Sequence, residues 1–163
     1  MTRPIVVMGP SGNGKSALGS ALAGRLGLPF IEGDACHPPA NIAKMARGEP
    51  LDDADRAPFL DAVGAALAAQ PQGAVAACSA LKHAYRERLR QLVPGLLFVL
   101  PQVPRAELHR RMGTRPGHFM PPSLLDSQLA ALEPPQAEER IVLLDGTLPL
   151  PELVVQAAAA IAD

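Results

Sequence analysis

The sequence predicts an α/β fold of three layers, with a five-stranded parallel sheet flanked by helices, and we expect a single domain spanning residues 1–163. Short apolar segments alternate along the chain with longer segments of helical periodicity, as in parallel sheets with right-handed crossovers. A glycine-rich motif separates the first apolar segment from the first helical one, where a strand would lead into a helix. With 48% of its 163 residues apolar, the chain can bury a substantial core.

The predicted strands are short apolar runs that end at turn-forming residues. They cover residues 5–8, 29–31, 74–78, 96–100 and 141–144. The carboxyl ends of parallel strands meet at one edge of the sheet, and open α/β sheets bind ligands there. We therefore expect loops 9–14, 33–37 and 78–82, and the stretch after Asp145, to lie together.

The predicted helices fill the intervals between the strands. They cover residues 15–26, 40–46, 82–93, 104–112, 124–132 and 149–161, and a longer helix begins at a cap on Asp52, Asp53 or Asp55 and ends near residue 69. Residues 113–123 differ, because they are rich in glycine, proline and cationic side chains and lack periodicity. We expect this segment to be a mobile lid.

Residues 9–16 carry the motif G-x-x-x-x-G-K-S, which is typical of loops that bind nucleoside triphosphates. Glycines allow a tight turn that aims backbone amides at phosphate oxygens, and the following helix adds its unpaired amides and the positive end of its dipole. Lys15 can reach the β- and γ-phosphates, and the Ser16 hydroxyl can ligate Mg²⁺. The alternative is a glycine-rich turn that only caps a helix. The predicted phosphate-binding residues are Gly9, Pro10, Ser11, Gly12, Asn13, Gly14, Lys15 and Ser16.

A second polar group follows the second predicted strand. Asp34 and His37 lie in this loop, beside the phosphate loop in most layouts of the fold. Asp34 can accept a proton from a hydroxyl group or hold Mg²⁺ through water, and both roles suit phosphoryl transfer. The alternative is that Asp34 caps the turn. His37 can hydrogen-bond a substrate hydroxyl or cap the next helix.

Cationic side chains on the next two helices are candidates for binding an anionic acceptor. Asn41, Lys44 and Arg47 recur along one side of the short helix. Arg56 follows an acidic run, and we expect it to face the ligand, although a solvated helix start with surface ion pairs is the alternative. A nucleobase acceptor would more plausibly need aromatic stacking, and this chain has few aromatic residues.

Two further segments carry candidate arginines. Arg86, Arg88 and Arg90 cannot share one face of a helix, and we expect Arg86 to point inward to the ligand. Around the lid, Arg111, Arg115 and His118 can close over the triphosphate and neutralise developing charge, unless the segment is only a basic loop in water.

Composition and charge argue against several classes of function. The formal net charge is −1 and the pI is about 6.4, so there is no broad basic surface for nucleic acid. No apolar run approaches the length of a membrane span. The chain enters its first strand almost at once, which predicts no signal peptide, and it has only two cysteines. We therefore expect a cytoplasmic protein.

Taken together, these segments resemble the gluconate kinase family. The combination of the Asp34 and His37 loop, the Leu81-Lys82 turn and the Gly117-His118-Phe119 segment is highly specific to that family. Leu129 departs from its pattern, because we would expect an aromatic residue there. The matching stretches run in family order at residues 9–16, 33–38, 41–45, 48–56, 78–82, 85–90, 115–120 and 124–129.

The resemblance implies a P-loop kinase fold of the nucleoside-monophosphate-kinase type with a lid. It also implies transfer of phosphate from ATP to D-gluconate, giving ADP and 6-phospho-D-gluconate, with Mg²⁺ and in a homodimer. A shikimate-type or another small-molecule P-loop kinase is the alternative enzyme, and a nucleotide-binding switch or regulatory ATPase is the alternative from another class.

Site residues are carried over from the same resemblance. Lys15, Asp34 and Arg115 are the implied catalytic residues, and Arg111 and Arg115 join residues 9–16 in binding ATP. The implied gluconate-binding residues are Asp34, His37, Lys44, Arg56, Arg86 and His118. Ser16 is the implied Mg²⁺ ligand, with Asp34 acting through water.

Overall fold

The structure is a computed structural model that describes residues 3–114 and 122–162. Its strands are β1 (Ile5–Val7), β2 (Phe30–Glu32), β3 (Val75–Ala77), β4 (Leu97–Gln102) and β5 (Ile141–Asp145). They form one sheet in the order β2-β3-β1-β4-β5, and each neighbouring pair is parallel. The predicted α/β fold with a five-stranded parallel sheet is therefore confirmed.

Helices connect the strands. They are α1 (Lys15–Leu26), α2 (Pro39–Ala46), α3 (Asp53–Ala68), α4 (His83–Leu92), α5 (Arg105–Thr114), α6 (Pro122–Ala131) and α7 (Leu150–Ala162). The predicted cap of α3 is confirmed at Asp52, whose side chain accepts a hydrogen bond from the Asp55 amide while the Asp55 carboxylate accepts one from the Asp52 amide. Within the described residues, none of the helices combines the length and the apolar character needed to cross a bilayer.

The hydrophobic core lies on both faces of the sheet, because side chains alternate along each strand. On one face, Val6, Ala76 and Phe98 pack under α3 and α4. On the other face, Ile5 and Val7 pack under α1 and α7. The central strand β1 is completely buried, which explains why its sequence is a continuous apolar run.

The structure differs from the prediction at the two ends of the expected lid. Gly113 and Thr114 complete α5, and Pro122 and Ser123 begin α6, because proline is favourable in a first helical turn. The remaining lid residues, 115–121, lie outside the described residues. The two helices pack together through Leu108, Met112, Leu125 and Leu129, so the unexpected leucine at position 129 still contributes to this contact.

The prediction that Arg86 points to a ligand is corrected by the structure. Its side chain has 0% exposure and is committed to partners within the protein. The guanidinium donates to both carboxylate oxygens of Glu139, at 2.8 and 3.0 Å, and to the carbonyl oxygens of Ala80, Leu81 and Glu133. Arg86 therefore joins α4 to the loops at residues 80–81 and 133–139, as a buried guanidinium must be paired to be tolerated.

Glu139 is the carboxylate that balances this buried cation. Burial alone would raise the pKa of Glu139. Hydrogen bonds from Arg86, the backbone amide of Gln136 and Arg90 outweigh that effect and hold the pKa well below its usual value. Glu139 therefore binds its proton less readily in the folded state than in the unfolded state.

We expect Glu139→Gln to lower the free energy of unfolding by about 3–5 kcal/mol, because it leaves the buried Arg86 cation without a counter-charge. Urea denaturation at neutral pH measures this loss. Glu138→Gln, at an exposed neighbouring position, is the matched control and should change stability little. Equal stabilities of the two variants would contradict the assigned role of the ion pair.

The same pair predicts the pH dependence of stability. The depressed pKa of Glu139 stabilises the fold above the ordinary glutamate value of 4.5, and this contribution is lost progressively as the pH falls further. Urea midpoints measured below that pH should therefore drop more steeply for the wild type than for Glu139→Gln. Parallel curves for the two proteins would contradict the prediction.

Candidate active site

The loop between β1 and α1 has the backbone conformation that a phosphate requires. Gly9, Gly12 and Gly14 have positive φ angles of 129°, 89° and 85°. Gly14 is the N-cap of α1 and provides no side chain to cap the first turn. The first amides of α1 are thus not capped by the N-cap residue, which suits an anion at the positive end of the helix dipole.

One buried carboxamide fixes the shape of this loop. The Asn13 side-chain nitrogen donates to the carbonyl oxygens of Met8 and Pro101, at 2.9 and 3.1 Å, and its oxygen accepts from the Lys15 amide at 3.1 Å. A Cβ atom at Gly9 would lie only 2.0 Å from the side-chain nitrogen of Asn13, so this packing requires glycine. The Asn13 side chain therefore supports the loop from beneath through its hydrogen bonds to backbone groups.

Arg111 reaches the same loop from α5. Its guanidinium donates to the carbonyl oxygens of Gly12 and Gly146, at 3.0 and 3.2 Å, and to Glu107 at 3.2 Å. The structure thus places Arg111 against the phosphate loop and the turn after β5. The other two predicted residues of this group, Arg115 and His118, lie outside the described residues.

A cavity of about 270 Å³ joins the phosphate loop to the loop after β2. Its volume suits a small molecule of a few polar groups. It brings together five of the predicted residues, namely Ser11, Lys15, Asp34, His37 and Arg56. Its other lining residues are Ile42, Met45, Glu49, Pro50, Leu51, Phe59, Ser79, Leu124, Ser127 and Gln128.

Asp34 lies on the 3₁₀ turn Gly33–Cys36 that directly follows β2. This turn passes very close to β3, since a Cβ atom at Gly33 would lie 2.0 Å from the Ala77 carbonyl oxygen. Among the described residues, no hydrogen bond engages the Asp34 carboxylate, and the residue is exposed at the cavity wall. A carboxylate in this position can accept a hydrogen bond or a proton from a bound hydroxyl group.

His37 is held in place beside Asp34. Its ring stacks on Phe59 with centroids 3.8 Å apart, and its Nδ1 atom lies 3.2 Å from the Asn41 side-chain nitrogen. Partial burial lowers the pKa of His37, a shift that Asp34 opposes and Arg56 reinforces. The lowered pKa favours the neutral imidazole, and with Nδ1 accepting from Asn41, its Nε2 can donate to an acceptor oxygen.

Arg56 provides a positive charge at the cavity wall. Its guanidinium donates to the Tyr85 hydroxyl at 3.1 Å, and that hydroxyl donates to the Asp53 carboxylate in a short hydrogen bond. Lys82 donates to the same carboxylate at 2.9 Å. Tyr85 and Asp53 thus restrict the side chain of Arg56 at the wall of the cavity.

The prediction for Lys44 is corrected by the structure. Its ammonium group pairs with Asp55 at 2.6 Å, and hydrogen bonding to this carboxylate raises the pKa of Lys44. The pair joins α2 to α3, and Lys44 is not among the residues that line the cavity. The notable member of α2 is instead Asn41, whose side chain bridges His37 and the Asp55 carbonyl oxygen, at 3.2 and 2.8 Å.

Sequence reasoning did not single out the cavity residues from two other segments. Ser79 follows β3, and its carbonyl oxygen accepts a hydrogen bond from the Gly9 amide at 3.1 Å. Ser127 and Gln128 lie on α6 and form part of the cavity wall. The available signal was the polar pair Ser127-Gln128 between leucines on a predicted helix, since core helices rarely carry such a pair on an inward face.

Oxygen donors suited to Mg²⁺ flank the cavity. The Ser16 hydroxyl lies in the first turn of α1 and makes no hydrogen bond to the part of the chain that the structure describes, and the same holds for the Asp34 carboxylate. Hard oxygen ligands of this kind are those that Mg²⁺ prefers. His83, Glu87 and Glu139 also gather within ligand distance of one another, but the Glu139 carboxylate is already engaged by Arg86 and Arg90.

The fold and this site define the class of the protein as a P-loop small-molecule kinase. Residues 5–135 match the family described as AAA domain. The chain also resembles the shikimate kinase of Aquifex aeolicus, with a TM-score of 0.67 at 14% identity over 98% of this chain and 96% of that one. That similarity concerns the fold alone.

Closer relatives narrow the class. The gluconokinase of Gluconobacter oxydans is 50% identical over 147 residues, covering 88% of this chain and 83% of the relative. The thermoresistant gluconokinase of Escherichia coli is 44% identical over 142 residues, covering 85% and 81%. A crystal structure of a gluconokinase from Sinorhizobium meliloti gives a TM-score of 0.90 at 52% identity, covering 98% and 91%. The chain belongs to the gluconokinase family, as the sequence motifs predicted.

The two asparagines of the site allow a matched test of its two halves. Asn13→Ala removes the support of the phosphate loop and should weaken the binding of an ATP analogue and lower the free energy of unfolding by about 1–3 kcal/mol. Asn41→Ala releases His37 on the other side of the cavity and should leave nucleotide affinity nearly unchanged. Isothermal titration calorimetry measures both affinities, and equal losses in the two variants would contradict this division.

Proposed function

We propose that this protein is a gluconokinase that transfers the γ-phosphoryl group of ATP to the terminal hydroxyl of D-gluconate, giving ADP and 6-phospho-D-gluconate. The observation that carries the proposal is the single cavity lined by Ser11 and Lys15 at one end and by Asp34, His37 and Arg56 at the other. Membership of the gluconokinase family supports the choice of acceptor.

The two ends of the cavity offer complementary chemistry. Lys15 and the amides of the phosphate loop supply positive charge for the triphosphate. Arg56 supplies a cation for the gluconate carboxylate, and Asp34 and His37 supply hydrogen-bonding groups for its hydroxyls. An acidic polyol needs this mixture. Among the cavity-lining residues that the structure describes, the one phenyl ring that could support a base belongs to Phe59, and it is stacked on His37.

In this proposal Asp34 orients the attacking hydroxyl and accepts its proton as the bond to phosphorus forms. Lys15 neutralises charge on the transferring group, and this kind of preorganised charge supplies most of the catalysis in phosphoryl transfer. Arg111 holds the loop through Gly12, and we propose that Arg115 and His118 belong to a lid that excludes water.

Ser16, with Asp34 through water, would hold Mg²⁺. When bound, the ion neutralises phosphate charge. We further propose that the protein is a cytoplasmic homodimer, as the resemblance to gluconate kinases implies.

The experiment that tests the function is gluconate-dependent formation of ADP by the purified protein. A panel of acceptors that includes shikimate and nucleoside monophosphates separates gluconokinase from other kinases of this fold. A regulatory ATPase would hydrolyse ATP slowly and gain nothing from added gluconate. Activity with shikimate but not with gluconate would reject the proposal in favour of a shikimate-type kinase.

We expect Asp34→Asn to lower kcat by about 10²–10⁴-fold while leaving the affinity for ATP nearly unchanged, because the amide can neither accept a proton nor balance charge. Asp61→Asn is the matched control and should retain turnover. Asp61 lies on α3, pairs with Arg88 and is not among the residues that line the cavity. Steady-state kinetics with both substrates varied measures the effect. Unchanged kcat in Asp34→Asn would remove this residue from the reaction.

Removal of divalent cations with a chelator should abolish activity, and added Mg²⁺ should restore it. Ser16→Ala should raise the Mg²⁺ concentration needed for half-maximal activity, because it removes a hydroxyl ligand. Ser20→Ala, at an exposed position one turn further along α1, is the control. Equal Mg²⁺ requirements in the two variants would exclude Ser16 as a ligand.

A further inference from the structure

Gln128 occupies a special position between the two ends of the cavity. Its side-chain oxygen accepts a hydrogen bond from the backbone amide of Ser11 at 2.8 Å, across 117 residues of sequence. The same side chain lines the cavity, together with Leu124 and Ser127 from the same helix. One residue of α6 therefore touches the phosphate loop and also faces the space proposed for the acceptor.

The packing of α6 fixes the direction of this residue. Leu125 and Leu129 lie one turn apart and pack against Leu108 and Met112 of α5. Leu124 and Gln128, also one turn apart, lie on the adjacent face, which is the face that lines the cavity. The helix is therefore seated by apolar contacts on one side and presents Gln128 to the cavity on the other.

The end of α6 is also anchored. The Leu132 amide donates to the Gln128 carbonyl oxygen at 2.9 Å, and the Glu133 amide donates to the Leu81 carbonyl oxygen at 2.8 Å. These contacts follow Gln128 directly in the chain, so the backbone that carries it is held next to the loop after β3. The acceptor of the Ser11 hydrogen bond, Gln128, is therefore carried by a helix whose end is anchored.

The carboxamide of Gln128 has capacity for a second partner. Its oxygen is engaged by the Ser11 amide, whereas its nitrogen donates to no group among residues 3–114 and 122–162. A primary amide carries two N–H donors, and a polyol or phosphate oxygen in the cavity is a suitable acceptor for them. Ser11 is the third residue of the phosphate loop, at the rim that faces the acceptor end.

We infer that Gln128 is a positioning residue that couples the acceptor site to the phosphate loop. The carboxamide oxygen already accepts from the Ser11 amide. An acceptor bound to the carboxamide N–H groups restrains the side chain and strengthens this hydrogen bond, which holds Ser11 in the conformation that binds the triphosphate. The inference rests on the proposed function, because it takes the occupant of the cavity to be the phosphoryl acceptor. Such coupling is reciprocal, so each substrate strengthens the binding of the other by the same factor.

The test compares the affinity for an unreactive ATP analogue in the absence and presence of saturating gluconate, measured by isothermal titration calorimetry. For the wild type we expect gluconate to raise the affinity by about fivefold or more. In Gln128→Ala this ratio should fall to near one. Gln156→Ala, the same change at an exposed position on α7, should keep the wild-type ratio.

Gln128→Glu separates a coupling role from a purely structural one. The carboxylate still accepts the Ser11 hydrogen bond, but it lacks the N–H donors and repels an anionic acceptor. We expect this variant to keep slow hydrogen exchange at the Ser11 amide while losing affinity for gluconate. Unchanged gluconate affinity in Gln128→Glu would show that the side chain does not face the acceptor and would overturn the inference.

The outcomes separate this inference from the proposed function. Absence of gluconate-dependent ADP formation in the wild type would reject the function, whereas an active wild type with full coupling in Gln128→Ala would reject only the role of Gln128. Hydrogen exchange at the Ser11 amide tests the contact without any substrate, and equal exchange in wild type and Gln128→Ala would also overturn the inference. Circular dichroism confirms that each variant is folded.

Discussion

The hydrogen bonds of the Asn13 carboxamide are the constraint on which the rest of the site depends. They join the end of β1, the end of β4 and the first turn of α1 through Met8, Pro101 and Lys15. The Gly9 amide adds the end of β3 through the Ser79 carbonyl oxygen. The base of the loop between β1 and α1, at Gly9 and Asn13, is therefore held by the three central strands. Under the proposed function, such preorganised dipoles need little rearrangement as phosphate charge develops.

Some cationic side chains are paired with carboxylates inside the fold, whereas Arg56 lies at the cavity wall. Arg86 and Lys44 are matched to carboxylates within the fold, namely Glu139 and Asp55. Arg56 is also restrained, but through a neutral hydroxyl, so its positive charge is not cancelled directly by the group that holds it. The charge of Arg56 therefore remains available at the wall of the cavity that it lines.

The sequence predicted the strands, the helices and the phosphate loop well because local patterns determine them. Glycine spacing, apolar runs and the acidic cap of α3 act over a few residues and can be recognised without a structure. Asp34, His37 and Arg56 line one cavity, since each lies at or near an element end that the topology brings to one edge of the sheet.

The errors came from pairings between distant segments. Arg86 was expected at the ligand because its helix was recognised, but its carboxylate partner lies 53 residues further along the chain. Lys44 was misplaced for the same reason, with a partner 11 residues away in a different helix. Gln128 was not singled out because its contact with Ser11 depends on the packing of α6 on α5. The polar pair Ser127-Gln128 indicates an unusual helix face but not the partner of that face.

The order of strands has a consequence for how such an enzyme can diversify. The loop that carries Asp34 and His37 leaves β2, which lies at the margin of the sheet and pairs with β3 alone, whereas the nucleotide loop leaves the central strand β1. A peripheral strand tolerates insertions and exchanges that a central strand cannot, because fewer neighbours must adjust. Under the proposed function, changes at this margin can alter the choice of acceptor while the phosphate loop at the centre of the sheet stays the same.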